Sequence, residues 1–304
     1  MVTPMISVKR NIEAEEVLLR SEHVLFVEGK DSSSVDPEVL KELLGNNIRI
    51  EPLGASFSVK SVAEALYPHH PSYYFLIDRD HQDDSFVQKC WSNFPDPSTH
   101  NLLVWKRREI ENYFLEPEYL FNSRYCIVSK DELERKVLEF SKARLFLDAA
   151  NHVVIAIREE LKRNWIQKFS NPSDFSSKET ALVKLKAANE FEQHASNVTQ
   201  QVSADELENR FIACLELMTG GQGDISFGTG LWLSMIQGKK ILSQIINSGS
   251  FRVVATDGTP LSGKNKLNAV IKDLLKNDEN VLPSDFNELK QLISERLYEE
   301  ISSN

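Results

Sequence analysis

The apolar positions of this chain follow two different rhythms. Between residues 23 and 119, short runs of consecutive apolar residues alternate with stretches in which apolar side chains recur every three or four positions. Compact runs rich in β-branched and aromatic residues read as strands, and the wider spacing reads as helix. Four runs qualify as strands: 23–27 (HVLFV), 47–54 (NIRIEPLG), 73–77 (YYFLI) and 101–105 (NLLVW). The second is closed by Pro52 and Gly54, which suits an edge strand. Between them, Val39, Leu40, Leu43 and Leu44, and then Val59, Val62, Ala63 and Leu66, fall on single helical faces. Strands alternating with helices in this way predict β-α-β crossovers and an α/β fold with a parallel sheet core.

Beyond residue 123 the rhythm becomes helical. Two capping boxes, Ser129 with Glu132 and Ser203 with Glu206, mark helix starts. The first opens a helix carrying Leu133, Val137 and Phe140, followed by an amphipathic stretch over 145–165. The second runs through Leu207, Phe211, Cys214 and Leu215 to Gly220-Gly221. Further helices are expected at 233–246, 264–275 and 286–297, after a turn-rich break at 171–177 and a glycine-rich connection at 219–230 that reads as mobile. The expected organisation is an α/β domain over 1–125 and a mainly helical second half over 126–304, with a further split near 219–230.

Composition narrows the function classes. A chain of 304 residues with 41% hydrophobic content can bury ordinary cores. No stretch reaches the eighteen or so apolar residues of a membrane span, and residues 1–10 lack an apolar run of signal-peptide length, so a cytoplasmic protein without membrane association is expected. Cys90, Cys126 and Cys214 are far apart and form no C-x-x-C pair, which predicts packing rather than a disulfide or zinc site. The Asn197-Val198-Thr199 sequon then has no secretory context. A formal net charge of −10 argues against a protein that coats nucleic acid with its whole surface. It leaves room for an enzyme whose carboxylates are neutralised by a divalent cation beside a small basic patch.

Candidate chemistry lies at the strand ends. In a parallel sheet, residues just past the C-terminal ends of the strands line the functional crevice. Glu28-Gly29-Lys30 follows the first strand and Asp78-Arg79-Asp80 follows the third, so both face one space. Hard cations such as Mg²⁺ or Mn²⁺ take oxygen ligands, and acidic side chains from two strand ends can fix an ion that activates a nucleophile and clamps a phosphate. Gly29 permits a sharp turn there. Either motif alone also reads as a helix cap or a solvated loop. After the fourth strand, Lys106-Arg107-Arg108-Glu109-Ile110-Glu111-Asn112-Tyr113 offers Glu109 or Glu111 as a further ligand and Arg107 or Arg108 as a phosphate partner. It reads equally as a basic-acidic helix start held by salt bridges.

The order of Glu28-Gly29-Lys30 and, fifty residues later, Asp78-Arg79-Asp80 resembles the TOPRIM domain of topoisomerases, primases and OLD-family nucleases. The resemblance implies acid–base chemistry for Glu28 and Mg²⁺ binding by Asp78 with Asp80, with Glu28 also among the metal ligands. The segment Arg108-Glu109-Ile110-Glu111-Asn112-Tyr113 resembles TOPRIM-like subunits that accompany ABC- or AAA-type ATPases, among them the toxin subunits of PARIS-type anti-phage systems. That resemblance covers residues 23–120. It implies a metal-dependent endonuclease acting on RNA, notably tRNA, held in check by an ATPase partner and active as a homodimer. Catalytic work would then fall to Glu28, Asp78, Asp80 and Glu111, and substrate contact to Lys30, Arg107 and Arg108. No catalytic-tyrosine domain or primase zinc module is visible, so within the family hydrolysis is the expectation. The alternative is a non-catalytic adaptor that keeps the fold for docking on an ATPase.

Other motifs carry less. Asp83 and Asp84 extend the negative charge, though such a run is more often a solvated loop. His81 titrates near neutrality, yet a lone histidine in a polar loop is more often a surface residue than a base. Residues 258–265 (GTPLSGKN) fit a phosphate-binding loop, but Asn265 stands where Ser or Thr should be and no Walker-B strand follows. In 158–168, Lys162, Arg163 and Lys168 surround Trp165, which suits either a nucleic-acid contact or a helix with a buried tryptophan and a solvated basic face. Trp232 and the Gly238-Lys239 pair read as packing residues and a helix bend.

Overall fold

The computed structural model describes residues 23–299 except 32–33, 47, 68, 71, 81, 95–99, 164–168, 170, 172 and 174–175. The readings of residues 1–10, His81, Trp165 and Lys168 therefore lie outside the described residues. The chain divides into two compact units: the residues up to Arg135 together with those from Gly238 onward, and Lys136–Gln237 between them.

The first unit is built on four parallel strands in the order β2-β1-β3-β4: β1 (Val24–Val27), β2 (Arg49–Pro52), β3 (Tyr73–Ile77) and β4 (Leu102–Val104). Every residue of β1, β3 and β4 is buried, as expected of strands covered on both faces, whereas β2 is the half-exposed edge its proline suggested. The crossovers are α1 (Val35–Leu44), α2 (Ser56–Leu66) and α3 (Asp84–Ser92). The third was not expected from the sequence. Asp83 is its N-cap, accepting the Phe86 N–H at 2.8 Å, and Val87, Cys90 and Trp91 form its buried face. After β4 a 3₁₀ segment, Ile110–Leu115, buries all six of its side chains, and α4 (Pro117–Leu120) and α5 (Lys130–Lys142) follow.

The second unit contains α6 (Leu145–Arg163), α7 (Lys178–Ala187), α8 (Asn189–Gln201), α9 (Ala204–Thr219) and α10 (Trp232–Met235). Helices α6 and α9 pack on each other, while α7 and α8 bury no residue at all. The glycine-rich connection after α9 is a set of tight turns. Gly230 approaches α9 so closely that a Cβ there would lie 2.1 Å from the Met218 carbonyl oxygen, and the Trp232 indole donates to the Ser226 carbonyl at 2.9 Å. Glycine serves close approach here, and the unit boundary falls after Gln237 instead.

The chain then returns to the sheet through α11 (Gly238–Ile245), α12 (Gly263–Leu274) and α13 (Ser284–Glu299). This differs from a boundary at 125/126, and aromatic packing supplies the reason. Phe286 is fully buried, with its ring 5.8 Å from Trp105, 5.0 Å from Tyr113 and 5.8 Å from Phe114. Beside it the Tyr113 hydroxyl donates to Asp285 at 2.7 Å, and Lys106 pairs with Glu288. No local sequence pattern reports which helix covers which strand.

Candidate active site

The strand register assembles the site. Val27 pairs with Leu76, so Glu28 leaves β1 level with Ile77 and one position short of Asp78. The Glu28 Oε1 accepts the backbone N–H of Asp78 at 3.0 Å, which joins the two strand-end motifs directly. The turn after β1 is set by Gly29, whose φ of 144° and short contacts leave no place for a side chain: a Cβ would sit 3.0 Å from Ser34 Cβ. Gly29 also exchanges two backbone hydrogen bonds with Gly54, 2.8 and 2.7 Å long, which draws the start of α2 toward Glu28. Ser56, at that start, donates its backbone N–H to Glu28 and a side-chain hydrogen bond to Asp80.

The carboxylates found here face one another. Burial, against the Asp78 hydrogen bond and with repulsion from Asp80 and Asp36, pushes Glu28 up to about 7. Asp78 lies well above the ordinary carboxylate range, first through desolvation and then through the charges of Asp36, Glu28, Glu111 and Glu109. Its Oδ1 is buried and receives no hydrogen bond. Asp80 holds a left-handed backbone conformation, φ 47°, tied to Arg108 through the Arg79 N–H at 3.1 Å from the Arg108 carbonyl. Its carboxyl is raised by desolvation, opposed by Arg108 and Lys60, although the residue is open to solvent on one side.

The segment after β4 closes the other side. Glu111 is only 2% exposed, its Oε1 also receives no hydrogen bond, and burial with repulsion from Asp36 and Glu109 pushes it up to about 8. Glu109 caps the 3₁₀ segment and accepts the Lys239 backbone N–H at 2.8 Å, while its own N–H donates to Asn112 at 3.1 Å. Desolvation raises it as well. Asp36, in the first turn of α1, is pushed by burial up to about 6, with Lys239 opposing and Glu109 adding.

Asp36 and Lys239 are the residues that sequence reasoning missed. Lys239 is the second residue of α11, and its Nζ stands 4.0 Å from the Glu111 Oε1. The helix is seated hard against the 3₁₀ segment, because a Cβ on Gly238 would lie 2.4 Å from the Asn112 side-chain oxygen. The Gly-Lys pair was legible as a local feature, but Glu109 and Lys239 lie 130 residues apart.

Other candidates are placed elsewhere. Arg107 donates to the Asn112 carbonyl at 3.1 Å, pairs with Glu116 and stacks 4.7 Å from the Tyr113 ring, so its guanidinium holds the 3₁₀ segment together. Arg108 is buried beside Asp80, and Lys30 is exposed at the turn after Glu28. Asp84 pairs with Arg79. Residues 253–261 form a hairpin in which Ala255 and Thr259, and Val253 and Leu261, pair through backbone hydrogen bonds of 2.8 and 2.9 Å. Within 258–265 the backbone N–H groups of Gly258, Thr259, Leu261 and Gly263 already donate to Ala255, Asp257, Val253 and Asn247, so this loop is not a phosphate cradle.

The donor set is all oxygen, which fits a hard cation such as Mg²⁺, and the unmet buried oxygens of Asp78 and Glu111 are the acceptors such an ion would satisfy. As placed, however, no three His, Cys, Asp or Glu side chains among the described residues stand close enough together to hold one. Among those residues no helix is long and apolar enough to cross a membrane. Compared with family models, curated proteins and solved structures, the chain matches none.

Proposed function

We propose that the chain is a TOPRIM-type, divalent-cation-dependent phosphodiesterase that cleaves nucleic acid. The observation that carries this reading is the meeting of Glu28 and Asp78 at the C-terminal edge of a parallel sheet, with a buried Asp78 oxygen left without a hydrogen bond. Glu28, Asp78 and Asp80 would hold Mg²⁺ or Mn²⁺, which when bound supplies Lewis-acid stabilisation of a phosphate and a more acidic water. Glu28, at about 7, is suited to hold or release a proton near neutral pH. Arg108 and Lys60, whose charges oppose the rise of Asp80, would be the cations to meet a phosphodiester backbone. Substrate preference for RNA and tRNA, an ABC- or AAA-type ATPase partner, a toxin role in anti-phage defence, an active homodimer and a cytoplasmic location rest on the resemblance of residues 23–120.

The test is cleavage of labelled tRNA, single-stranded RNA and duplex DNA by purified protein in Mg²⁺ or EDTA, beside Glu28→Ala. Cleavage only in Mg²⁺ and only by the unsubstituted protein is the expected result, and activity persisting in EDTA or in the variant would overturn the mechanism. A second reading, a non-catalytic adaptor that docks on an ATPase, is favoured by the lack of a closed three-ligand set among the described residues. No cleavage together with no metal binding decides for it.

A further inference from the structure

We propose that Phe57 is a stacking platform for an unpaired base of the substrate strand, with Lys60 one turn on to meet a backbone phosphate. This deepens the nucleic-acid-cleaving reading and rests on it: the substrate class becomes single-stranded or locally unpaired nucleic acid.

Isolated apolar residues are ordinary on a protein surface. Phe57 differs in extent and in place. It is 75% exposed, more than any other large hydrophobic residue among those described. Its helix, α2, has a buried face at Val59 and Ala63 that Phe57 does not share. The outer face runs through Phe57, Ser61 and Glu64, all exposed, with Lys60 half-buried at its edge. Seating α2 on the sheet therefore asks nothing of an aromatic ring at position 57, where a polar residue would serve the helix as well.

The main chain fixes the place. Gly29 and Gly54 exchange backbone hydrogen bonds of 2.8 and 2.7 Å, and the Leu53 N–H donates to the Val27 carbonyl at 2.9 Å. The chain entering α2 is thus laced to the chain leaving β1 on either side of Glu28, which itself accepts the Asp78 N–H at 3.0 Å. The helix starts at once, with the Ser58 and Val59 N–H groups donating to the Ala55 carbonyl at 2.8 and 3.2 Å. That short run keeps the Phe57 Cα within about 11 Å of the Gly54 Cα. An exposed ring there is in reach of a base next to a bond held at Glu28 and Asp78.

Proteins that grip single strands combine aromatic faces for the bases with cations that follow the backbone. Phe57 and Lys60, at i and i+3, are surface neighbours on α2, and Lys30, exposed just after Gly29, adds a second cation. A duplex stacks its bases on one another and offers such a ring no free face.

The experiment measures fluorescence anisotropy of a dye-labelled single-stranded oligonucleotide, and of a blunt duplex of the same sequence, on the full-length protein in buffer containing Ca²⁺ to screen the acidic crevice. Phe57→Ala and Phe57→Leu should weaken single-strand binding about tenfold, the loss of one base stack, and Phe57→Trp should retain it. Duplex binding should be the same in all of them. A 2-aminopurine stepped along the single strand should be quenched at one position by the unsubstituted protein and by Phe57→Trp, and not by Phe57→Leu, a difference that a merely structural role would not produce. Unchanged single-strand affinity in Phe57→Ala, equal affinity in Phe57→Leu and Phe57→Trp, or equal losses on single strand and duplex would each overturn the platform while leaving the cleavage reading intact. No binding of any nucleic acid by the unsubstituted protein overturns both.

Discussion

The two units of this protein treat their acidic side chains in opposite ways. In Lys136–Gln237, carboxylates are matched with cations. Asp148, fully buried, is gripped by Arg144 at 3.0 and 3.2 Å and accepts the Gln237 N–H at 3.1 Å, and Arg210 makes a two-pronged pair with Glu160 at 2.7 and 2.9 Å. In the sheet-bearing unit, Glu28, Asp36, Asp78, Asp80, Glu109 and Glu111 face one another, and all are raised by burial. Folding alone favours the first arrangement. The second is a standing cost, a pattern that supports the proposed site without establishing it.

The contrast can be broken most sharply at the level of activity. Asp78→Asn should reduce Mg²⁺-dependent cleavage on the order of 10²-fold or more, as expected for loss of a central charged group, whereas Glu160→Gln should leave the initial rate unchanged in the same assay. The next largest effect is on stability. Arg144→Met removes both guanidinium bonds to the fully buried Asp148 carboxylate and should cost ~3–5 kcal/mol in urea unfolding. Glu111→Gln should instead stabilise the metal-free protein at pH 8, because it removes a charge that the fold disfavours.

The pH dependence follows with a definite sign. Glu28, Asp36 and Glu111 rise from ordinary values of 4.5, 3.8 and 4.5 to about 7, 6 and 8. A group whose folded pKa is raised contributes stability that is complete below its unfolded pKa and is lost as pH rises through the folded one. Metal-free protein should therefore melt progressively lower between pH 5 and pH 8, and Mg²⁺ should recover more of that loss at pH 8 than at pH 5. A flat profile in calorimetry would remove the electrostatic half of the comparison. The smallest effect belongs to the surface: Arg210→Ala should change unfolding free energy by under ~1 kcal/mol.

Much of the sheet was legible because each strand is a contiguous apolar run; Tyr73–Ile77 begins and ends where the sequence pattern does. Glu28, Asp78 and Asp80 were legible for the same reason, since a strand end is a local feature and parallel strands bring their ends together. Helix Asp84–Ser92 was missed because its N-cap and first-turn acids looked like loop, although Val87, Cys90 and Trp91 held the helical spacing. Asp36 is a first-turn acid of α1, a place where local pattern gives no hint of a site. Lys239 was out of reach, since its role depends on the chain returning to the sheet after the helical unit, and that return is fixed by long-range packing around Phe286. Arg107 had the right chemistry for a phosphate partner, but three neighbours within its own segment claim it.

The interrupted layout of the sheet-bearing unit also sets an order of events during synthesis. Chains emerge from the ribosome N-terminus first, so all four strands and every carboxylate of the crevice are available while the segment from Gly238 onward is still unmade. Until that segment arrives, Tyr113 and Trp105 lack the ring of Phe286, and Glu111 lacks its lysine. The nascent protein thus carries an incomplete core and a buried Glu111 without its nearest ammonium, and both are finished by the same late piece of chain.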